Sequence, residues 1–242
     1  MYFYVLCFYS QYTNTVPLDL YEAFDKVYKK EQNGTLSFVK FMDSWASKSG
    51  YPIVHISYRT GSLTITQKQY FMDRFYQSSE VAKWFIPLNI ATQDNPNFDD
   101  TTVHEGLFLK GDSNKTISIL EIEHFNPEKW FIINKQQTGY YRVNYDDDNW
   151  NRIIQQLNTD YTKIHVLNRA QLIDDAFSLA KSKHLSYDIA IKLISYIKNE
   201  REYVPWASFL THADDLNRLF DNTAQHNTFK VSTDCDNRLI DN

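Results

Sequence analysis

Two cysteines in 242 residues leave no disulfide framework to read: Cys7 and Cys235 sit near opposite ends, and their spacing argues for no bridge. Redox compartment is therefore not legible from them. Glycine is scarce as well, with six spread along the chain, so a glycine-rich phosphate loop is excluded. A basic excess is missing. The net charge is -5, and the one adjacent basic pair of the first helical stretch, Lys29-Lys30, is followed at once by Glu31. Nucleic-acid binding, which needs a basic face, is not expected. Long apolar runs are missing too. Met1 to Tyr9 is apolar, but it falls well short of the roughly 20 residues that span a bilayer. It lacks the basic start and the small-residue cleavage site of a secretion signal. It reads instead as the end of a buried segment whose beginning lies outside this sequence, and no transmembrane segment is expected.

What is abundant is aromatic: 17 Tyr, 16 Phe and 5 Trp in a chain that is 43% hydrophobic. That is enough apolar material for packed cores, and large aromatics suit half-buried sheet faces. Three textures succeed one another. The first is helical. Leu18, Leu20, Tyr21, Phe24, Val27 and Tyr28 recur at helical spacing, with Asp19 near the start and Asn33-Gly34 as a stop. Ser37 then caps a second helix from Phe38 to Ser49, closed by Gly50.

From Tyr51 the period becomes two. Ile53, Val54 and Ile56, a turn at Thr60-Gly61-Ser62, then Leu63 and Ile65 predict a hairpin. Further strands are predicted at Trp84–Ile90, Leu107–Leu109, Thr116–Ile122, Trp130–Asn134 and Tyr140–Val143. Short strands separated by polar turns predict an antiparallel sandwich. After Asp146 the helical period returns, in stripes through Trp150, Ile153, Ile154 and Leu157, then Leu167 to Lys183, Asp188 to Asn199, and Pro205 to Phe220. Successive amphipathic helices with short joins predict a solenoid-like array. Residues 221–242 are polar and aperiodic, and are expected to fray. The expected fold class is thus multidomain, α and β: a helical remnant over 1–50, an antiparallel β-sandwich over 51–145, and an α-helical array over 146–242.

Candidate chemistry is sparse. His104-Glu105 begins a zinc signature, but the position that needs the second histidine is Phe108. Glu121 and Glu123, with His124, would share a metal only from alternate positions of one strand, and a solvated charged face is the simpler reading. Asp146-Asp147-Asp148 lacks the glycine and distal glutamate of a calcium loop and reads as carboxylates at a helix N-terminus. Asp174-Asp175 and Asp214-Asp215 read as surface charge within helices, with Asp174 free to meet Arg169 or a neighbouring helix. Arg142, close to three tyrosines, reads as a packed or hydrogen-bonded strand residue. No Ser-His-Asp or Cys-His arrangement can be drawn. The expected catalytic, substrate-binding and metal residues are therefore none. Two sequons, Asn33-Gly34-Thr35 and Asn114-Lys115-Thr116, are compatible with a secreted protein.

One run is too unusual to be incidental: Gln137-Thr138-Gly139-Tyr140-Tyr141-Arg142-Val143-Asn144-Tyr145-Asp146. It resembles the end of the β-sandwich domain in zinc aminopeptidases of the aminopeptidase N type, the gluzincin peptidase family M1. Four further motifs agree in order. Tyr12 to Tyr21, where the family more often has Trp at the place of Tyr21, resembles a stretch near the end of the catalytic domain. Met42-Asp43-Ser44-Trp45 with Gly50 to Val54 resembles the exit into the sandwich. Leu167 to Ala176 resembles the first long helix of the C-terminal domain, and Glu202 to Trp206 its next landmark. The resemblance runs from about Gln11 to about Phe220. It implies a parent enzyme that removes N-terminal residues from peptides with zinc, at the cell surface or outside the cell. In that family, two histidines of His-Glu-x-x-His and a later glutamate hold the metal, and the motif's own glutamate activates water. A Gly-x-Met-Glu-Asn segment binds the substrate amino group, and a tyrosine supports the transition state. None of these is matched here, so the resemblance implies no cofactor site in this chain, and its partners would be the remaining catalytic and C-terminal domains. The other reading is a non-catalytic binding product of the same kind of gene, at the cell surface or secreted.

Overall fold

The computed structural model describes residues 14, 16–32, 37–72, 82–103, 108–111, 114–118, 121–122 and 124–220. The Met1–Tyr9 run, both cysteines, the Asn33-Gly34 stop, His104-Glu105, Glu123 and the polar tail 221–242 lie outside the described residues. The chain divides into two compact units, one ending at Asp146 and one beginning at Asp147.

In the first unit, helix α1 (Pro17–Gln32) starts where proline is best tolerated, and the Asp19 carboxylate accepts from the Val16 N–H at 2.9 Å. Helix α2 (Phe38–Ala46) has the expected Ser37 cap, accepting from Lys40 N. It stops three residues before Ser49, because the Ser47 hydroxyl turns back onto the Asp43 carbonyl at 2.6 Å and the backbone leaves the helix. Asp25 ties the two helices: its Oδ1 accepts from the Phe38 N–H at 2.7 Å, beneath Phe24–Phe38 ring packing at 5.3 Å. Burial raises the Asp25 pKa, but the hydrogen bonds from Lys29 and Phe38 N–H outweigh it, so the carboxyl sits below its ordinary 3.8. The stabilisation from Asp25 is therefore full above that value and lost as pH falls through the lower folded value. Protection of the Phe38 amide from hydrogen exchange, taken relative to its intrinsic rate at each pH, should fall there, and Asp25→Ala should already lower it roughly tenfold at neutral pH. An unchanged Phe38 rate in the variant would remove this tie.

Strands β1 (Pro52–Arg59) and β2 (Ser62–Gln69) form the expected hairpin, registered from Pro52 opposite Gln69 to Arg59 opposite Ser62. The loop is two residues, Thr60 at φ 43° and Gly61 at φ 80°, the left-handed pair whose twist matches the strands. The sheet order is β6-β2-β1-β8, with β6 (Asn114–Ser118) and β8 (Arg142–Tyr145) at its ends. Here the all-antiparallel expectation is corrected: β8 runs parallel to β1, Ile53 opposite Arg142. The predicted strand Trp84–Ile90 is two strands, β3 (Phe85–Pro87) and β4 (Ile90–Thr92), broken at Asn89, whose side chain bonds other segments. β3 pairs with β5 (Phe108–Lys110), and β4 with β7 (Phe131–Ile133). The strand predicted to reach Ile122 ends at Ser118. What the first unit shows is thus helices with small sheets, mostly antiparallel.

Its core gathers Val54, Ile56, Leu63, Ile65, Trp84, Ile86, Leu109 and Ile117, all fully buried. A buried glutamine is satisfied inside it: Gln67 exchanges two hydrogen bonds with the Trp84 backbone, at 2.8 and 2.9 Å. Helix α2 packs on β3, with Trp45 Nε1 donating to Phe85 O and the Ser44 hydroxyl accepting from Phe85 N.

In the second unit, α3 (Asp147–Asp160) buries Trp150, Ile153 and Leu157, three of the four positions of its expected stripe. Helix α4 (Val166–Lys181) is buried along most of its length. The helix expected over Asp188–Asn199 is instead α5 (Tyr187–Leu193) tightening into a 3-10 turn over Ile194–Asn199, where the Ser195 hydroxyl bonds the Lys192 carbonyl. Helix α6 (Tyr203–Phe220) carries Pro205 in its first turn and packs along α4.

Candidate functional site

Among the described residues, left-handed backbone clusters at the entry to the unusual run. Asn134 (φ 68°), Gln136 (φ 52°) and Gln137 (φ 56°) are all left-handed, a conformation that side chains other than glycine and asparagine resist. The surrounding hydrogen bonds hold it. Asn134 is fully buried; its Oδ1 accepts from Gly139 N at 2.7 Å and its Nδ2 donates to Gly139 O at 3.0 Å. Asn89 Oδ1 accepts from Lys135 N at 2.7 Å, and Lys135 Nζ donates to Asn97 O at 3.2 Å. Burial pulls the Lys135 pKa down, partly countered by Asp100. Gly139 is required for space: a Cβ there would lie 2.2 Å from the Tyr141 ring, whose hydroxyl donates to Pro87 O.

Beyond the turn, the Tyr145 hydroxyl accepts from Ile133 N, and the Asp146 carboxylate accepts from Tyr58 N at 2.8 Å. Asp146 thus secures the end of β1, while Asp147 and Asp148 occupy the first turn of α3 as expected of capping carboxylates. Arg142 donates to the Tyr51 hydroxyl at 3.2 Å and lies over the Tyr70 ring, 5.2 Å from its centre. Tyr140 is exposed and packs on Tyr51, ring centres 5.0 Å apart. Burial pushes the Tyr51 phenol up in pKa despite Arg142, so at neutral pH it is a hydrogen-bonding group and not an anionic nucleophile. The motif's polar atoms are directed largely at backbone groups. That is the chemistry of a support.

The other candidates disperse. Glu121 and His124 are exposed and lie past the end of β6, outside any strand. The two aspartate pairs are not simply surface charge. Asp175 is buried and takes a hydrogen bond from Gln171, and Asp174 meets His212 of α6 at 2.9 Å, while Asp215 pairs with Lys181. Burial of Asp175 follows from its place on the packed side of α4.

Arg169 does not contact Asp174 as one expectation allowed. It forms a two-pronged bond with Glu200, Nε to Oε2 at 2.6 Å and Nη2 to Oε1 at 3.0 Å. Its third nitrogen donates to Ile164 O, and its carbon lies 5.1 Å from the Tyr161 ring centre. Glu200 is fully buried and also accepts from the Arg201 and Glu202 amides. Beside the pair, the buried Tyr196 hydroxyl makes no hydrogen bond of normal geometry; burial and the Glu200 carboxylate push its pKa far up. Sequence reasoning missed this cluster. The available signal was an arginine in an otherwise small and aliphatic helix face.

Among the described residues no three His, Cys, Asp or Glu side chains gather to hold a metal, so they do not fit the zinc that the family resemblance implies. No step through zinc is derived from them. Nor is any described helix long and apolar enough to cross a membrane.

The described residues form helices and small sheets, and the hydrogen bonds around Asn134 and Gly139 turn inward. Comparison with known sequences says what the chain is similar to. The profile of the ERAP1-like C-terminal domain matches residues 130–233. Aminopeptidase N of Plutella xylostella is 36% identical over 220 residues, 88% of this chain and 22% of that protein. Membrane alanyl aminopeptidase of Heliothis virescens is 36% identical over 219 residues, 86% of this chain and 21% of that protein. The human thyrotropin-releasing hormone-degrading ectoenzyme is 29% identical over 229 residues, 90% of this chain and 21% of that protein. Residues 130–233 thus match a C-terminal domain of the M1 aminopeptidase family, proteins named aminopeptidase N align with most of the chain, and the chain spans about a fifth of the length of the curated relatives it matches.

Proposed function

We propose that these residues are the supporting part of a zinc aminopeptidase that removes N-terminal amino acids from peptides at the cell surface. In this reading, residues 1–50 close the catalytic domain, 51–145 form a β-sandwich spacer, and 146–242 begin a solenoid-like C-terminal array. Zinc would polarise the substrate carbonyl and activate water, with ligands and base supplied by residues outside this sequence. The observation that carries the proposal is the hydrogen bonding around Asn134, Gly139 and Tyr141, which is directed inward at backbone groups. The names of the relatives, aminopeptidases and an ectoenzyme, support the activity and the location.

The test has two arms. A denaturing immunoblot of native tissue, with an antibody to residues 51–145, should show a band several times the 28.6 kDa of this chain. This chain expressed alone should release no amino acid from aminoacyl anilides and hold no stoichiometric zinc. A native band only near 28.6 kDa would favour a short binding product instead. Peptidase activity with bound zinc in the chain alone would overturn the supporting role.

A further inference from the structure

The 3-10 helix of Ile194–Asn199 runs for six residues, where this tighter winding usually ends after roughly three or four. The sequence does not demand it. Ile189, Leu193, Tyr196 and Ile197 recur at spacings that an α-helix serves equally, and neither glycine nor proline interrupts residues 187–199. Two contacts hold the tight form. At its start the Ser195 hydroxyl sits 2.7 Å from the Lys192 carbonyl and 2.9 Å from Asn158 Oδ1 of α3. At its end Glu200, whose N–H donates to the Ile197 carbonyl, is buried in its two-pronged bond to Arg169 of α4. That second contact depends on the winding. An α-helix over Ile194–Asn199 would be about 3 Å shorter and would swing Glu200 roughly 120° around the axis, off Arg169. Within the tight segment the buried Tyr196 hydroxyl is left without a hydrogen bond of normal geometry, a cost specific to the held form.

We propose that Ile194–Asn199 is a two-state strap between α5 and α6, held in its long form by the Arg169–Glu200 pair, and that breaking the pair lets it rewind as α-helix and draw α6 toward α5. Buried ion pairs are poor sources of net stability, and their best-attested use is to select one arrangement over another. Here the pair selects the winding. The start of α6 follows Glu200, because its carboxylate accepts from the Arg201 and Glu202 amides and its carbonyl accepts from Trp206 Nε1. What the latch controls is therefore the span between two helices, and not the content of either.

The experiment measures that span in the full chain. Ile191→Cys on α5 and Tyr203→Cys on α6 replace two exposed side chains and carry spin labels, with Cys7 and Cys235 changed to serine. Their separation is read by pulsed electron paramagnetic resonance. R169M/E200L removes the latch while keeping apolar volume at both positions, and is expected to add a population shorter by about 3 Å. S195A introduced into that variant should enlarge the shorter population, since the Lys192 carbonyl is then released. S195A alone, with the pair intact, should keep the parent's distance. The parent's distribution in R169M/E200L would overturn the strap, and a shortening in S195A alone would overturn the pair as its latch. Ser195 is exposed, so its substitution leaves the core intact and that arm reads even where the paired substitution fails to fold.

Discussion

Glu200→Ala is expected to destabilise the second unit by about 3–5 kcal/mol, the cost of stranding a buried charge. The variant leaves the Arg169 guanidinium in a dry site with two of its donors unmet, and strips the Arg201 and Glu202 amides of their acceptor. Arg169 keeps only the Ile164 carbonyl and the Tyr161 ring. Removing both charges should hurt less than removing one. Arg169→Met with Glu200→Leu offers similar volume with no orphaned ion, and replacements of this kind have often been neutral or better. Urea unfolding followed by far-ultraviolet circular dichroism, on Arg169→Met, Glu200→Leu and the double variant, gives the coupling directly. If Glu200→Ala unfolds at the parent's urea midpoint, the pair contributes nothing and the burial of Glu200 needs another cause.

Asn134→Ala carries the second large effect, about 2–5 kcal/mol in the first unit, from two separable sources. Alanine at φ 68° meets left-handed strain of about 1–2 kcal/mol, which asparagine moderates by local hydrogen bonding. The lost carboxamide leaves the part-buried Gly139 N–H without its 2.7 Å acceptor, at about 1–3 kcal/mol. Asn134→Gly separates the two, because glycine takes the positive φ freely but has no amide. Glycine is therefore expected to recover the strain and keep the hydrogen-bond loss. Equal midpoints for the alanine and glycine variants would show that backbone strain at Asn134 is negligible.

Legibility tracked the range of the interaction. The β1–β2 hairpin could be read because alternation and the Thr60-Gly61 turn are encoded within a few residues of one another. The Ser37 cap was legible for the same reason. The parallel β8 was not, since alternation marks a strand without giving its direction or partner. Helix α5 gave way to a tighter turn because the Ser195 hydroxyl competes locally for a carbonyl that a periodic apolar pattern does not reveal. Asp175 and Glu200 were hidden by a sound rule, that carboxylates are almost never buried unless paired. Their partners, Gln171 and Arg169, are apparent only once the helices pack. Arg142 was legible as a hydrogen-bonded strand residue, though not as the neighbour of Tyr51 and Tyr70 in particular.

The parallel ladder also sets a clock. Tyr58 and the Asp146 carboxylate that bonds its amide are 88 residues apart, and the register of β1 against β8 spans similar separations. A ribosome adding roughly 5–20 residues per second makes that stretch in roughly 4–18 s. Throughout that interval β1 has β2 on one side and nothing from this ladder on the other, although the hairpin itself can form within microseconds. The nascent chain thus exposes an apolar strand edge for a time set by translation speed and not by folding speed. Slower synthesis between Arg59 and Arg142 would lengthen the exposure, and a holdase acting on the nascent chain would find its most persistent target there.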